Sequence, residues 1–166
     1  KLHSTPCNTA VFGPAEDRFL KGISAATIFS EDEKAKMVSF VKSVPAANTC
    51  IHGDMHIGNA LLAGGSEYWI DLSDFAYGNP LYDLGMLYFA CFGTDDEDLA
   101  MRLYHMSVSR MHQVWESFAS EYFGPDVTPE EAHAMVAPFA ALYIVHFSSR
   151  GPMYHGMIEF VYKHLL

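Results

Sequence analysis

Three short stretches of this chain carry residue types suited to phosphoryl chemistry. The first is Ile51-His52-Gly53-Asp54-Met55-His56-Ile57-Gly58-Asn59; Trp69-Ile70-Asp71 and Tyr82-Asp83-Leu84-Gly85 follow it. Moving a phosphoryl group asks little covalent work of a protein, which has to position reactants and neutralise charge. A carboxylate must take the proton of an attacking hydroxyl, and hard oxygen donors must hold Mg²⁺ against the phosphates. Asp54, Asn59 and Asp71 supply such oxygens, provided that they converge on one point. His52, Asp54 and His56 also alternate, and in an extended segment they would share one side. Such a cluster suits a transition metal and leaves a metal-dependent phosphohydrolase as a rival chemistry.

The pattern around these residues predicts the elements that position them. Residues 48–52 read as a strand leading into a loop, and 59–63 as a short apolar strand. Gly64-Gly65-Ser66 makes a hairpin turn, with 67–72 as the returning strand. This layout puts Asp54 and Asn59 on either side of one turn and brings Asp71 back beside it. Residues 73–79 read as a loop pivoting on Gly78. The rest is helical. Ser30 and Glu33 form a capping box for a helix over 31–43, with Met37, Phe40 and Val41 on one face and Pro45 as its stop. Pro80 opens a helix reaching Phe92. Thr94 and Glu97 predict one long helical stretch to Tyr122, and Thr128, Pro129 and Glu131 predict another to Phe147. A last helix is expected over 153–166, whereas 1–27 reads as a helix end and an irregular connection. The fold class expected is α+β, mostly helical, in a single domain over 1–166 with a small β-hairpin carrying the loop.

His52-Gly53-Asp54 through Asn59 resembles the H-G-D-x-x-x-x-N catalytic loop of aminoglycoside phosphotransferases and choline kinases, and is similar in layout to the protein-kinase H-R-D-x-x-x-x-N loop. Ile70-Asp71 resembles that group's I-D pair, which does the job of the protein-kinase D-F-G aspartate. Gly78, Pro80 and Asp83-Leu84 match its G-x-P-x-x-D-L pattern. The resemblance implies a protein-kinase-like C-terminal lobe and an ATP-dependent phosphotransferase acting on a small-molecule hydroxyl. It implies Asp54 as the catalytic base or the orienter of the substrate hydroxyl, and Asn59 and Asp71 as the ligands of Mg²⁺ and, through it, of ATP. His52 would brace the loop, Asp83 would hydrogen-bond the loop backbone from the start of the following helix, and Gly53 and Asp74 would support. Leu2-His3 would be the tail of the group's first C-lobe helix. Ile57 stands where many members have Pro, and Leu72-Ser73 replaces an aromatic and acidic pair, which leaves the subfamily and substrate open. No Gly-rich strand-turn-strand and no strand Lys precede Asp54. The expectation is a C-terminal lobe without its N-terminal nucleotide lobe, inactive alone.

Composition narrows the partners. Ten Lys and Arg against twenty Asp and Glu give a formal charge of −10, with no basic stripe to neutralise nucleic-acid phosphates. The acidity serves solubility first and is compatible with a cationic substrate. Cys7, Cys50 and Cys91 are odd in number and form no C-x-x-C pair, so neither a disulfide framework nor a zinc knuckle is expected. No apolar stretch is long enough for a membrane span, and a cytoplasmic chain is expected. A surface left by an absent lobe would favour a homodimer. The acidic run 95–98 reads as helix N-terminal charge, and Met101, Tyr104, Met106, Met111, Trp115 and Phe118 as core and pocket wall. A kinase-like module kept for binding is the non-enzymatic reading.

Overall fold

The computed structural model describes the backbone of residues 1–166 and every side chain except those of residues 152, 153 and 155. Seven α-helices and two small antiparallel sheets make a mostly helical α+β fold. Helix-start chemistry sets several boundaries. The Ser30 backbone N–H donates to the Glu33 carboxylate at 2.7 Å and the Glu33 N–H to the Ser30 hydroxyl at 3.4 Å, opening α2 (Glu31–Ser43). Thr128 and Glu131 repeat that exchange at the start of a later helix, Pro129–Ser148. Each cap of this kind contributes about 1 kcal/mol.

Five expectations are corrected. The segment read as irregular holds α1 (Glu16–Ala25), an amphipathic helix that buries Phe19 and Ile23. Residues 73–79 contain a strand, β4 (Ala76–Gly78), which pairs antiparallel with β1 (Thr49–Ile51), Cys50 lying opposite Tyr77. The hairpin forms from β2 (Ala60–Ala63) and β3 (Ser66–Trp69) about the turn Gly64-Gly65, so the return strand stops before Ile70. The single long helix is two, α4 (Glu97–Tyr104) and α5 (Val108–Phe123). Asp96, not Thr94, caps α4 by accepting from the Leu99 N–H at 3.0 Å. His105 then takes a left-handed backbone, φ 54°, and Ser107 caps the new helix. The Glu97 side chain accepts from the Val108 N–H at 3.0 Å, so the expected capping glutamate serves the next helix instead. The last expected helix is a 3₁₀ helix, Pro152–Met157, followed by α7 (Ile158–His164).

The centre of the fold is the packing of α3 (Leu81–Phe92) on α6 (Pro129–Ser148). Gly85 makes it possible, because a Cβ there would lie 2.6 Å from the Phe139 Cβ. One core gathers Phe19, Met37, Val41, Ile51, Tyr82 and Leu142 between α1, α2 and α6, and a second gathers Leu84, Leu87, Trp115 and Val136 between α3, α5 and α6. Full burial of such a side chain contributes about 1.5–3 kcal/mol. The hairpin differs: Leu61, Leu62, Tyr68 and Trp69 on its strands are exposed, as are Ile70 and Leu72 beyond it, Leu62 at 81%. All three cysteines are free, and among the described residues no helix is long and apolar enough to cross a membrane.

His146, on α6, carries a pH dependence. Burial above all, with the Arg150 and Arg18 charges, lowers its pKa from 6.5 to about 4. The unfolded chain therefore takes up this proton at higher pH than the folded one, and its contribution to stability falls as pH drops from 6.5 towards 4. Urea midpoints should decline over that interval, and His146→Gln should flatten the decline.

Candidate active site

The loop after β1 hangs from one buried carboxylate. Asp83, in the first turn of α3, is fully buried. It accepts from the His52 backbone N–H at 2.7 Å and from the Gly53 N–H at 2.8 Å. The His3 Nε2 lies 2.9 Å from the same carboxylate, and the His3 Nδ1 lies 2.9 Å from the Tyr122 hydroxyl. Leu2–Ser4 forms a short 3₁₀ helix, and its service to the site is that imidazole. The Gly53 carbonyl is held as firmly as its N–H. It accepts from Arg18 Nη1 on α1 and from the Tyr143 hydroxyl on α6, the latter at 3.2 Å. Burial pushes the Tyr143 hydroxyl pKa up, so it stays protonated and donates. Gly53 has φ +87°, and a Cβ there would overlap the Asp74 carbonyl oxygen, so the peptide admits only glycine without rearrangement.

His52 ties the loop to the hairpin exit. It is fully buried, its Nε2–H donates to the Ile70 carbonyl at 3.0 Å, and its Nδ1 accepts from the Asp54 N–H at 3.3 Å. Both ring nitrogens are therefore engaged in backbone contacts. His56 is also committed, its Nδ1 accepting from the Gly58 N–H at 3.0 Å. The loop is not extended, and among the described residues no group of three or more His, Cys, Asp or Glu side chains is placed to hold a metal. The expectation that His52, Asp54 and His56 share one ligating side is corrected accordingly.

Asp54 and Asn59 do meet. The Asn59 Nδ2 donates to the Asp54 carbonyl at 2.9 Å and to its Oδ2 at 3.3 Å. The His56 Nε2 lies 3.5 Å from that same Oδ2, an electrostatic contact somewhat long for a direct hydrogen bond. The His56 imidazole is the largest influence holding the Asp54 carboxyl below the usual carboxylate range; Asn59 assists, and burial opposes. Asp71 lies just past the hairpin, whose ladder is extended by the Ile70 N–H donating to the Asn59 carbonyl at 3.0 Å. Its backbone is left-handed, φ 60°, a strained state for a side-chain-bearing residue. The Asp71 carboxylate is exposed and, among the described residues, makes no hydrogen bond with Asp54 or Asn59. Asp74 approaches the loop through its backbone: its carbonyl accepts from Arg18 Nη2 at 2.8 Å, while its exposed carboxylate is 3.9 Å from Arg18 Nη1.

A family model described as "Phosphotransferase enzyme family" matches residues 11–118. The chain belongs to this family. The match to the phosphotransferase enzyme family runs from before α1 into α5 and includes all three stretches from which the sequence analysis began. Membership makes the chain a transferase of the kinase type. No curated protein and no solved structure matches it significantly. Within this phosphotransferase, the supporting residues absent from the sequence analysis are Arg18, Tyr143 and, as a partner of Asp83, His3. Their contacts reach across 35, 90 and 80 residues, and the one available signal was the Phe19–Ile23 spacing that marks α1.

Proposed function

We propose that this chain transfers the terminal phosphoryl group of ATP to a hydroxyl of a small molecule. The observation that carries the reading is the contact of Asp54 with Asn59 in a turn suspended from Asp83, beside the strand exit that presents Asp71. Asn59 uses its amide N–H groups on Asp54, which leaves its Oδ1 as an acceptor. The Asp71 carboxylate has no hydrogen-bond or ion-pair partner among the described residues. Two such hard oxygens suit Mg²⁺, and Asn59 and Asp71 would hold it. When bound, that ion would neutralise and align the phosphate oxygens.

Asp54 performs the acceptor side. Its lowered pKa keeps it ionised at neutral pH, so it accepts the hydrogen bond of the incoming hydroxyl and fixes that oxygen's line of approach. A low pKa makes a weak base. A loose, metaphosphate-like transition state asks for no more, since the hydroxyl proton is lost late. His52 keeps the loop in register with the strand that leads to Asp71. Further groups that clamp the nucleotide, a strand Lys and a Gly-rich loop, would come from a lobe outside these residues. The exposed apolar hairpin is where that lobe would rest. The −10 charge is compatible with a cationic acceptor, and three free cysteines suit a cytoplasmic setting.

The test is ADP release from MgATP with kanamycin, choline and glucose as acceptors, measured on the longest form of the protein that the gene encodes. Acceptor-dependent release that a chelator abolishes is expected, and Asp71→Asn should raise the Mg²⁺ concentration required. Release that persists undiminished in excess chelator would overturn the proposal.

A further inference from the structure

The histidine left over from the metal cluster has a geometry of its own. The His56 Nδ1 accepts from the Gly58 backbone N–H at 3.0 Å. A backbone N–H can only donate, so Nδ1 carries no proton in this arrangement. The single proton of the neutral ring is then on Nε2, and Nε2 faces Asp54 Oδ2 at 3.5 Å. The ring is confined on its other sides. A Cβ at Gly58 would lie 2.9 Å from the His56 Cε1, so the imidazole packs directly on that peptide. Tyr104, the last residue of α4, meets it edge-on with ring centroids 5.9 Å apart.

Asp54 Oδ2 thus receives Asn59 Nδ2 from one side and faces His56 Nε2 from another, while Oδ1 has no partner among the described residues. A carboxylate anchored through one oxygen presents the other in a fixed direction. We propose that His56 is a positioning residue: through Nε2–H it pins Asp54 Oδ2, and so aims Oδ1 at the acceptor hydroxyl. This rests on the role of Asp54 proposed above. The contact is long for a hydrogen bond as it stands, and such contacts commonly tighten when substrate binds. His56 touches neither reactant. Its effect falls on the transfer step, and Tyr104 extends the support to α4.

Three substitutions separate this role from simple loop capping. His56→Asn retains an oxygen at the Nδ1 position, able to cap the Gly58 N–H, but places no donor near Asp54. His56→Gln gives up the cap and places an amide N–H at the Nε2 position. His56→Ala removes both. Each is assayed in the complete protein for kcat and for the KM of MgATP, with whichever of kanamycin, choline and glucose turns over fastest, beside Asp54→Ala. The expected result is a kcat loss of roughly 10–100-fold for His56→Asn and His56→Ala, as for other residues that orient a functional side chain. The KM of MgATP should be unchanged, and His56→Gln should recover most of kcat. The proposal is overturned if His56→Asn matches the wild type while His56→Gln falls with His56→Ala, because capping alone would then explain the residue. Equal kcat in all four proteins overturns it as well. Asp54→Ala with full turnover would instead sink the assignment of Asp54, a result distinguishable from either.

Discussion

Replacing Asp54 with alanine should lower phosphoryl transfer by about 10²–10⁴-fold, the range typical of a positioned acid–base group, with the fold intact. The two halves of this expectation have separate grounds. The side chain is 29% exposed, and its removal leaves Asn59 still donating to the Asp54 backbone carbonyl at 2.9 Å. Asp83, His52 and Arg18 hold backbone atoms of the loop, which the substitution does not touch. The loop should therefore keep its course, and the melting temperature should move by only a few degrees. What is lost is the oxygen that meets the acceptor. Turnover measured under saturating MgATP and acceptor, with a thermal melt of the same sample, checks both halves. Unchanged turnover would remove Asp54 from the chemistry.

Asp83→Ala should act the other way round, with its main effect on stability. Two backbone N–H groups, of His52 and Gly53, lose their acceptor in a fully buried setting. Each orphaned donor costs about 1–3 kcal/mol, so about 2–6 kcal/mol is expected for the pair. For a chain of this size, a 3 kcal/mol loss lowers the melting temperature by roughly 6–12 °C. Asp83→Asn is not a neutral replacement, since one of its two positions turns from acceptor to donor and faces an N–H. Denaturation midpoints and the hydrogen-exchange rates of the His52 and Gly53 amides report this directly. Unchanged protection at those amides would mean that another group takes over their hydrogen bonds.

Much of the local structure was legible because its causes lie within a few residues. Ser30 with Glu33, and Thr128 with Glu131, specify their helices by a three-residue exchange. The Gly64-Gly65 turn defines the hairpin in the same local way. Failures occurred where a longer-range partner decided the outcome. Residues 76–78 form a strand because β1 offers them a ladder. Thr94 and Glu97 have the spacing of a capping box, yet Asp96 competes for the cap and Glu97 turns to Val108. In the site, Asp54 and Asn59 are five residues apart, and their contact followed from the loop motif. The alternation of His52, Asp54 and His56 misled, because side-chain period two holds for an extended segment and this one folds back on its own N–H groups.

The anchoring of the Gly53 peptide bears on how such a chain can be altered without ruin. One carbonyl is shared by Arg18 and Tyr143, ninety residues from Gly53 in the latter case. Redesign of α1 or α6 therefore risks shifting the reactive loop, however far from it the exchanged atoms lie. The exposed Met101 and Leu103 side chains of α4 make no hydrogen bond or ion pair among the described residues. Random libraries confined to those two positions should therefore retain more active members than libraries of equal size on α1.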